Sequence, residues 1–168
     1  MKNLVRDLET LKFAPQVLEK IPGGAFLTVR AAGKVNVMTI GWAMIGVVWW
    51  RPMLMVMVRN SRHTFKLMEE ARGFSVAVPL KGYKKELEIC GKESGRHIDK
   101  FKLCNFKTVG GRKLSIPVLN IPGVHFECRL VYKTALDPKV LNCEYDYLYP
   151  KKDYHTLYFG EIVDCYRK

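Results

Sequence analysis

The chain has 168 residues, 48% of them hydrophobic, which is enough for one domain with a sizeable core. Lys and Arg outnumber Asp and Glu 28 to 16, for a net charge of +12, so an anionic partner is expected. No uncharged apolar run reaches about 18 residues, which excludes a membrane-spanning helix, and five widely spaced cysteines argue against a disulfide framework.

The basic excess suits nucleic acid, an anionic membrane surface or an anionic small molecule. Lys and Arg are scattered, densest at 81–85, 96–107 and 151–152, with no basic tail and no aromatic–basic repeat. An anionic cofactor and an anionic second substrate would use the same field, and a nucleic-acid partner is the less favoured alternative. Arg6, Asp7 and Glu9 interrupt the N-terminal apolar residues, so no secretory signal is read and a cytoplasmic location is expected.

Taken in order, Leu4, Leu8 and Leu11 sit at helical spacing within residues 3–12, and Pro15 ends that segment or opens a turn. Val17-Leu18-Glu19 leads into the turn Ile21-Pro22-Gly23-Gly24. Ala25 to Ala31 is a strand, Ala32-Gly33-Lys34 a tight turn and Val35 the start of the next strand, which together make a hairpin. Asn36 to Met44 is apolar but punctuated by Asn36, Thr39 and Gly41. Val47 to Trp50 reads as extended, and Met53 to Val58 as a strand covered on both faces.

Thr64 to Arg72 reads as a helix capped by Ser61, His63 or Thr64 and ended by Gly73. Phe74 to Val78 is a strand, Tyr83 to Cys90 a helix, and His97 to Leu103 a helical turn or two. Residues 104–123 resist assignment. Val124 to Lys133 alternates as a half-buried strand, Tyr145 to Tyr154 is a tyrosine-rich excursion, and His155 to Tyr166 is the last strand. Strands outnumber helices, and most lack the crossover helix that parallel pairing demands. A closed antiparallel barrel with one or two accessory helices fits best.

Three stretches carry candidate chemistry. Arg59, Asn60, Ser61, Arg62, His63 and Thr64 follow an apolar strand and precede a helix. Cationic forks, hydroxyls and free N–H groups at a helix start together suit a phosphate. Asn36, Thr39, Ile40, Gly41 and Trp42 put an amide, a hydroxyl, a close backbone approach and a packing face in one strand, which suits a heteroaromatic ring. Cys90 to Phe101 is a charged loop in which Lys100 could meet an anion. His125-x-x-Cys128 is the nearest approach to a metal pair, but it lies in an alternating apolar strand and reads as ordinary thiol and imidazole. There is no nucleophile elbow, no triad context and no G-x-G-x-x-G after a strand. Any redox chemistry would therefore belong to a bound cofactor.

The motifs N-V-M-T-I-G-W, R-P-M-L-M-V-M-V-R-N-S-R-H-T-F, F-S-V-A-V-P, C-G-K-E-S-G-R-H-I-D-K-F, F-E-C-R-L-V and H-T-L-Y-F-G-E-I-V occur in this order across residues 13–166. Together they resemble the flavin reductase-like family, to which flavoredoxin belongs. The resemblance implies a mainly β fold, an antiparallel Greek-key split barrel with a few accessory helices. It also implies a homodimer of one FMN-binding domain spanning 1–168.

By the same resemblance, Asn36, Thr39, Ile40, Gly41 and Trp42 would lie along the flavin ring and ribityl chain. Arg59, Asn60, Ser61, Arg62, His63 and Thr64 would hold the phosphate. Lys100 would approach the flavin, and His155 would reach the site from the last strand, either of the same chain or of the dimer partner. The implied reaction is hydride transfer from NADH or NADPH to FMN and onward to an unidentified acceptor. A flavin-binding electron carrier without its own NAD(P)H activity is the alternative. Many relatives continue past the strand ending here at Tyr166, which implies a more open site and weaker FMN binding.

Overall fold

A computed structural model describes residues 11–168. The lead-in expected over 3–12 lies outside these residues except for its last two positions. Ala14–Lys20 forms α1, with Pro15 in its first turn, where the missing N–H costs nothing. Val17 is therefore a buried helical residue, not part of an approach to the turn at Ile21–Gly23.

Nine strands follow: β1 (Ala25–Ala31), β2 (Lys34–Ile40), β3 (Ala43–Val48), β4 (Arg51–Arg59), β5 (Gly73–Val78), β6 (Thr108–Gly110), β7 (Pro117–Leu119), β8 (Val124–Ala135) and β9 (His155–Arg167). Seven build one antiparallel sheet in the order β2-β1-β5-β8-β9-β4-β3. The order is non-sequential, in Greek-key fashion. Its two edge strands, β2 and β3, are neighbours in the chain, joined only by Gly41-Trp42, yet they are not hydrogen-bonded to each other. The sheet thus bends back on itself without closing, so the barrel is split and not closed. The seam between β2 and β3 leaves backbone uncommitted, the condition for a ligand to enter.

The sheet encloses Leu27, Val29, Leu54, Val56, Phe74, Val76, Phe126 and Tyr158, all fully buried, with Leu67 and Met68 of α2 (His63–Glu70) packed among them. A second apolar group forms outside β1 and β2. There Phe26 meets Phe106 edge-on, beside Cys90 of α3 (Lys84–Lys92) and Leu119 of β7. The region 104–123 is thus a small two-stranded ribbon, β6-β7, laid over this second core. Its three-residue strands are too short for a period-2 signal. A four-residue helix, α4 (Lys100–Leu103), precedes it, capped by the Asp99 carboxylate, which accepts from Lys102 N.

Three local expectations change. Trp49 and Trp50 are not extended: they make the β3-β4 hairpin turn with φ of 52° and 61°. Such values are uncommon for bulky residues and match the primed turns that suit strand twist. The α2 helix ends at Glu70 with Ala71 extended, so Gly73 does not cap it. Gly73 opens β5, where a Cβ would stand 2.7 Å from the Cys128 carbonyl oxygen, so the demand there is close packing. The N-cap of α2 is Arg62, without any side-chain cap bond. Among the described residues, no helix is long and apolar enough to cross a membrane.

Candidate functional site

The end of β2, the end of β4, the start of α2 and the start of β9 converge beside the seam. Two cavities lie there side by side, of about 150 Å³ and 140 Å³, and Met38 and Arg62 line both. Period-2 alternation along β2 puts Asn36, Met38 and Ile40 on one face. Asn36 thereby falls in one cavity and Ile40 in the other.

The first cavity is flanked by Met38, Ile40, Gly41, Trp42, Met57 and His155, with Arg59 at its rim. Thr39 contributes backbone: its hydroxyl turns to α3 and donates to Leu87 O at 2.6 Å. Gly41 leaves the strand face open, with nothing nearer than 4.0 Å to a Cβ placed there. The Trp42 ring lies 5.0 Å from that of His155. Burial, and then the Arg59 guanidinium, push His155 down to about 4, so its imidazole is neutral at pH 7.

The second cavity is polar and cationic. Ser61, Arg62, His63 and Thr64 line it from the turn, Ser94, Gly95 and Arg96 from the loop after α3, and Lys100 from α4. Asn36 Nδ2 donates to Thr64 Oγ1 at 2.8 Å, tying β2 to the first turn of α2. The Lys100 ammonium is buried and donates to Val37 O at 3.1 Å and Cys90 O at 2.9 Å. Two bonds leave one of its three donors available. Burial lowers its pKa, as expected for a charge withdrawn from water. His63 is held below its usual value by burial and by Arg96, Lys34, Lys100 and Lys66, and its Nδ1 is buried without a partner. A cavity ringed by this many cations, with an orphaned polar atom and an uncapped helix start, is suited to an anion. Burial pushes the Cys90 thiol, also in the lining, up to about 12, so it stays protonated.

Arg59 stands apart from this basket. Its Nη1 donates to Asp153 O at 2.6 Å and its Nη2 to Leu148 O at 3.1 Å, while the guanidinium sits 5.1 Å from the Tyr149 ring and 5.9 Å from Trp42. It fastens the 143–153 excursion against the first cavity. Asn60 lines neither cavity: its N–H donates to Tyr154 O, and its side-chain carbonyl accepts from Thr156. Ser61 lines the second cavity, but its N–H and hydroxyl both donate to the Asp153 carboxylate, at 3.2 and 2.6 Å. The turn read as one phosphate-binding unit is therefore divided. Arg62, His63 and Thr64 face the cationic cavity, while Arg59 and Asn60 anchor neighbouring chain.

Sequence reasoning did not single out Met38, Met57, Tyr149 and Asp153 for the site, nor Arg96 from the charged loop it had noted. Arg96 reaches back to donate to Ser61 O at 3.2 Å, across 35 positions of sequence. Tyr149 is buried, with its hydroxyl 2.9 Å from His155 Nδ1. The run of tyrosines was the only hint that this excursion packs rather than hangs in solvent.

The flavin reductase like domain matches residues 20–168. Among solved structures, flavoredoxin from Methanosarcina acetivorans is similar with a TM-score of 0.69 at 28% identity, covering 86% of this chain and 68% of that one. An FMN-binding protein from Thermus thermophilus gives 0.67 at 24% identity, over 86% and 69% of the two chains. An NADH:FAD oxidoreductase from Streptomyces globisporus gives 0.64 at 18% identity, over 94% and 84%. The latter two speak for the fold alone. No curated protein matches the sequence. With the split antiparallel sheet, and a family match that spans nearly the whole chain, this protein belongs to the flavin reductase-like family.

Proposed function

We propose that the chain binds FMN across the two cavities and works as an oxidoreductase, taking hydride from NADH or NADPH and passing electrons to an acceptor. The observation that carries this reading is the division of the site. A compartment walled by Met38, Ile40, Trp42 and Met57, with Arg59 at its rim, adjoins a more strongly cationic one through Met38 and Arg62, matching a planar ring joined by a chain to a phosphate. The residues fit the group. The Arg62 guanidinium has no hydrogen bond or ion pair among the described residues, Lys100 keeps a donor in reserve, and the His63 Nδ1 atom lacks a partner.

Bound FMN would supply a ring that accepts hydride, so no side-chain nucleophile is required. The protein's part is to bind and orient. Arg62, Thr64, Arg96 and Lys100 would hold the phosphate by charge-assisted bonds. Met38, Ile40 and Trp42 would flank the ring, and the backbone at Thr39–Gly41 would offer it a hydrogen-bond donor. Arg59, engaged with the excursion, would act on the ring compartment instead of the phosphate. The surplus positive charge would draw in a pyridine nucleotide.

A homodimer is part of this reading. The edge strand β3 and its turn expose Met44, Val47, Val48, Trp49 and Trp50, beside Tyr132 of β8. A continuous apolar edge of this kind is a site for a second copy.

The test is spectroscopic. Purified protein mixed with FMN and passed through gel filtration should retain a flavin band, and anaerobic mixing with NADH or NADPH should bleach it. Failure to take up FMN would overturn the proposal. Uptake without bleaching by either nucleotide would replace the reductase with a flavin-binding carrier.

A further inference from the structure

The excursion between β8 and β9 packs Tyr149 against Trp42 and His155, two residues that line the first cavity. Its ring lies 5.5 Å from that of His155 at a steep angle and 6.4 Å from Trp42, and its hydroxyl meets His155 Nδ1 at 2.9 Å. Both residues are buried. Of the two imidazole nitrogens, Nδ1 is thus taken. Nε2 has no partner among the described residues and is not one of the buried orphan atoms, so it is accessible on a residue that lines the first cavity.

The pair can be joined in two ways. If Nδ1–H donated to the phenol, the Tyr149 hydrogen would need another acceptor, and its hydroxyl has no second partner among the described residues. If the phenol donates, both groups are satisfied with one bond. The surroundings keep both groups neutral. Burial raises Tyr149, against the pull of Arg59, and lowers His155, assisted by Arg59 and Arg62 and opposed by Asp153.

We propose that Tyr149 is a positioning residue: its O–H donates to His155 Nδ1 and so keeps the Nε2 hydrogen aimed into the cavity, as a neutral donor for a carbonyl oxygen of the bound ligand. This rests on the first cavity being the ring compartment. The consequence is specificity by hydrogen-bond polarity. A ligand presenting an acceptor at this wall is held, and one presenting a donor is refused, because two hydrogens would face each other.

The experiment is long-range proton–nitrogen NMR on ring-labelled protein without flavin, between pH 5 and 8. Expected is a single His155 tautomer, hydrogen on Nε2, across that range. In Tyr149→Phe a second tautomer should appear while the His125 signals stay put, which shows that the fold is intact. Hydrogen on Nδ1 in the unsubstituted protein, or a tautomer unmoved in Tyr149→Phe, would overturn the proposal. An FMN titration run in parallel reports separately on the cofactor, so failure of one reading is distinguishable from failure of the other.

Discussion

Asn36 and Thr64, 28 positions apart, meet through a buried 2.8 Å hydrogen bond that joins the mouth of β2 to the first turn of α2. The two cavities lie on either side of Met38, two residues further along the same strand face. The bond therefore sets the spacing between the apolar and cationic compartments. Replacing Thr64 with Val keeps the volume but strips the Asn36 amide of its acceptor. A loss of about 1–3 kcal/mol in urea unfolding is expected, with an unchanged m-value. A variant as stable as the parent would show that Asn36 finds another partner.

Arg62 and Arg59 are separated by two residues and both line the first cavity, but only Arg62 also reaches the cationic one, so their substitutions should differ in kind. Arg62→Gln removes a charge-assisted donor and should weaken FMN roughly 10- to 100-fold, while riboflavin, which lacks the phosphate, loses far less. Arg59→Lys cannot reproduce the fork that spans Leu148 and Asp153. It should weaken both ligands alike by loosening the excursion. Fluorescence titrations with the two flavins separate these outcomes, and a phosphate-selective loss in Arg59→Lys would reverse the assignment.

Gly95 packs its backbone against the Asn36 amide group. A Cβ there would lie 3.0 Å from Asn36 Cγ, 3.1 Å from His63 Cδ2 and closer still to Asn36 Oδ1. Gly95→Ala is expected to displace one of these side chains and lower FMN affinity more than it lowers the unfolding midpoint. Binding equal to that of the parent would mean that the loop after α3 simply moves aside.

His155 makes stability depend on pH. Its folded pKa of about 4 is below the ordinary value of 6.5, so the unfolded chain binds more protons between the two. Its contribution is present above pH 6.5 and lost as pH falls through 4, with an upper bound on the order of 3 kcal/mol. The lowered His63 and His125 titrate in the same sense, and carboxylates such as Glu69 add to the acid loss. The measure is therefore a difference. Urea midpoints of the parent and His155→Gln, taken from pH 7 down to 4, should converge as the pH drops. Parallel curves would contradict the depression.

The exposed β3 edge and Trp49-Trp50 turn should bury on self-association. Met44→Glu with Trp50→Glu is expected to convert a dimer to a monomer in light scattering, without change in circular dichroism. A parent that runs as a monomer at micromolar concentration would remove the dimer from the proposed function.

Much of this was legible along the chain. Alternation with glycine at a tight turn predicted the β1-β2 hairpin, because period and turn chemistry are local. The polar Asn36 in an apolar strand, and the cationic run before α2, both marked the cationic cavity, where the two meet, and not opposite ends of the candidate site, because a buried amide and clustered charge need partners wherever the chain goes. Local information ended where partners were distant. Nothing near Arg59 says that its guanidinium is bound by carbonyls of residues 148 and 153, or that the Asp153 carboxylate takes up Ser61. The tertiary fold alone tied Arg59 to the excursion while leaving Arg62 on both cavities, set Gly73 against a carbonyl and brought Tyr149 to His155. The reason is physical: composition and spacing state which groups need partners, and only the packed sheet decides which groups come within reach.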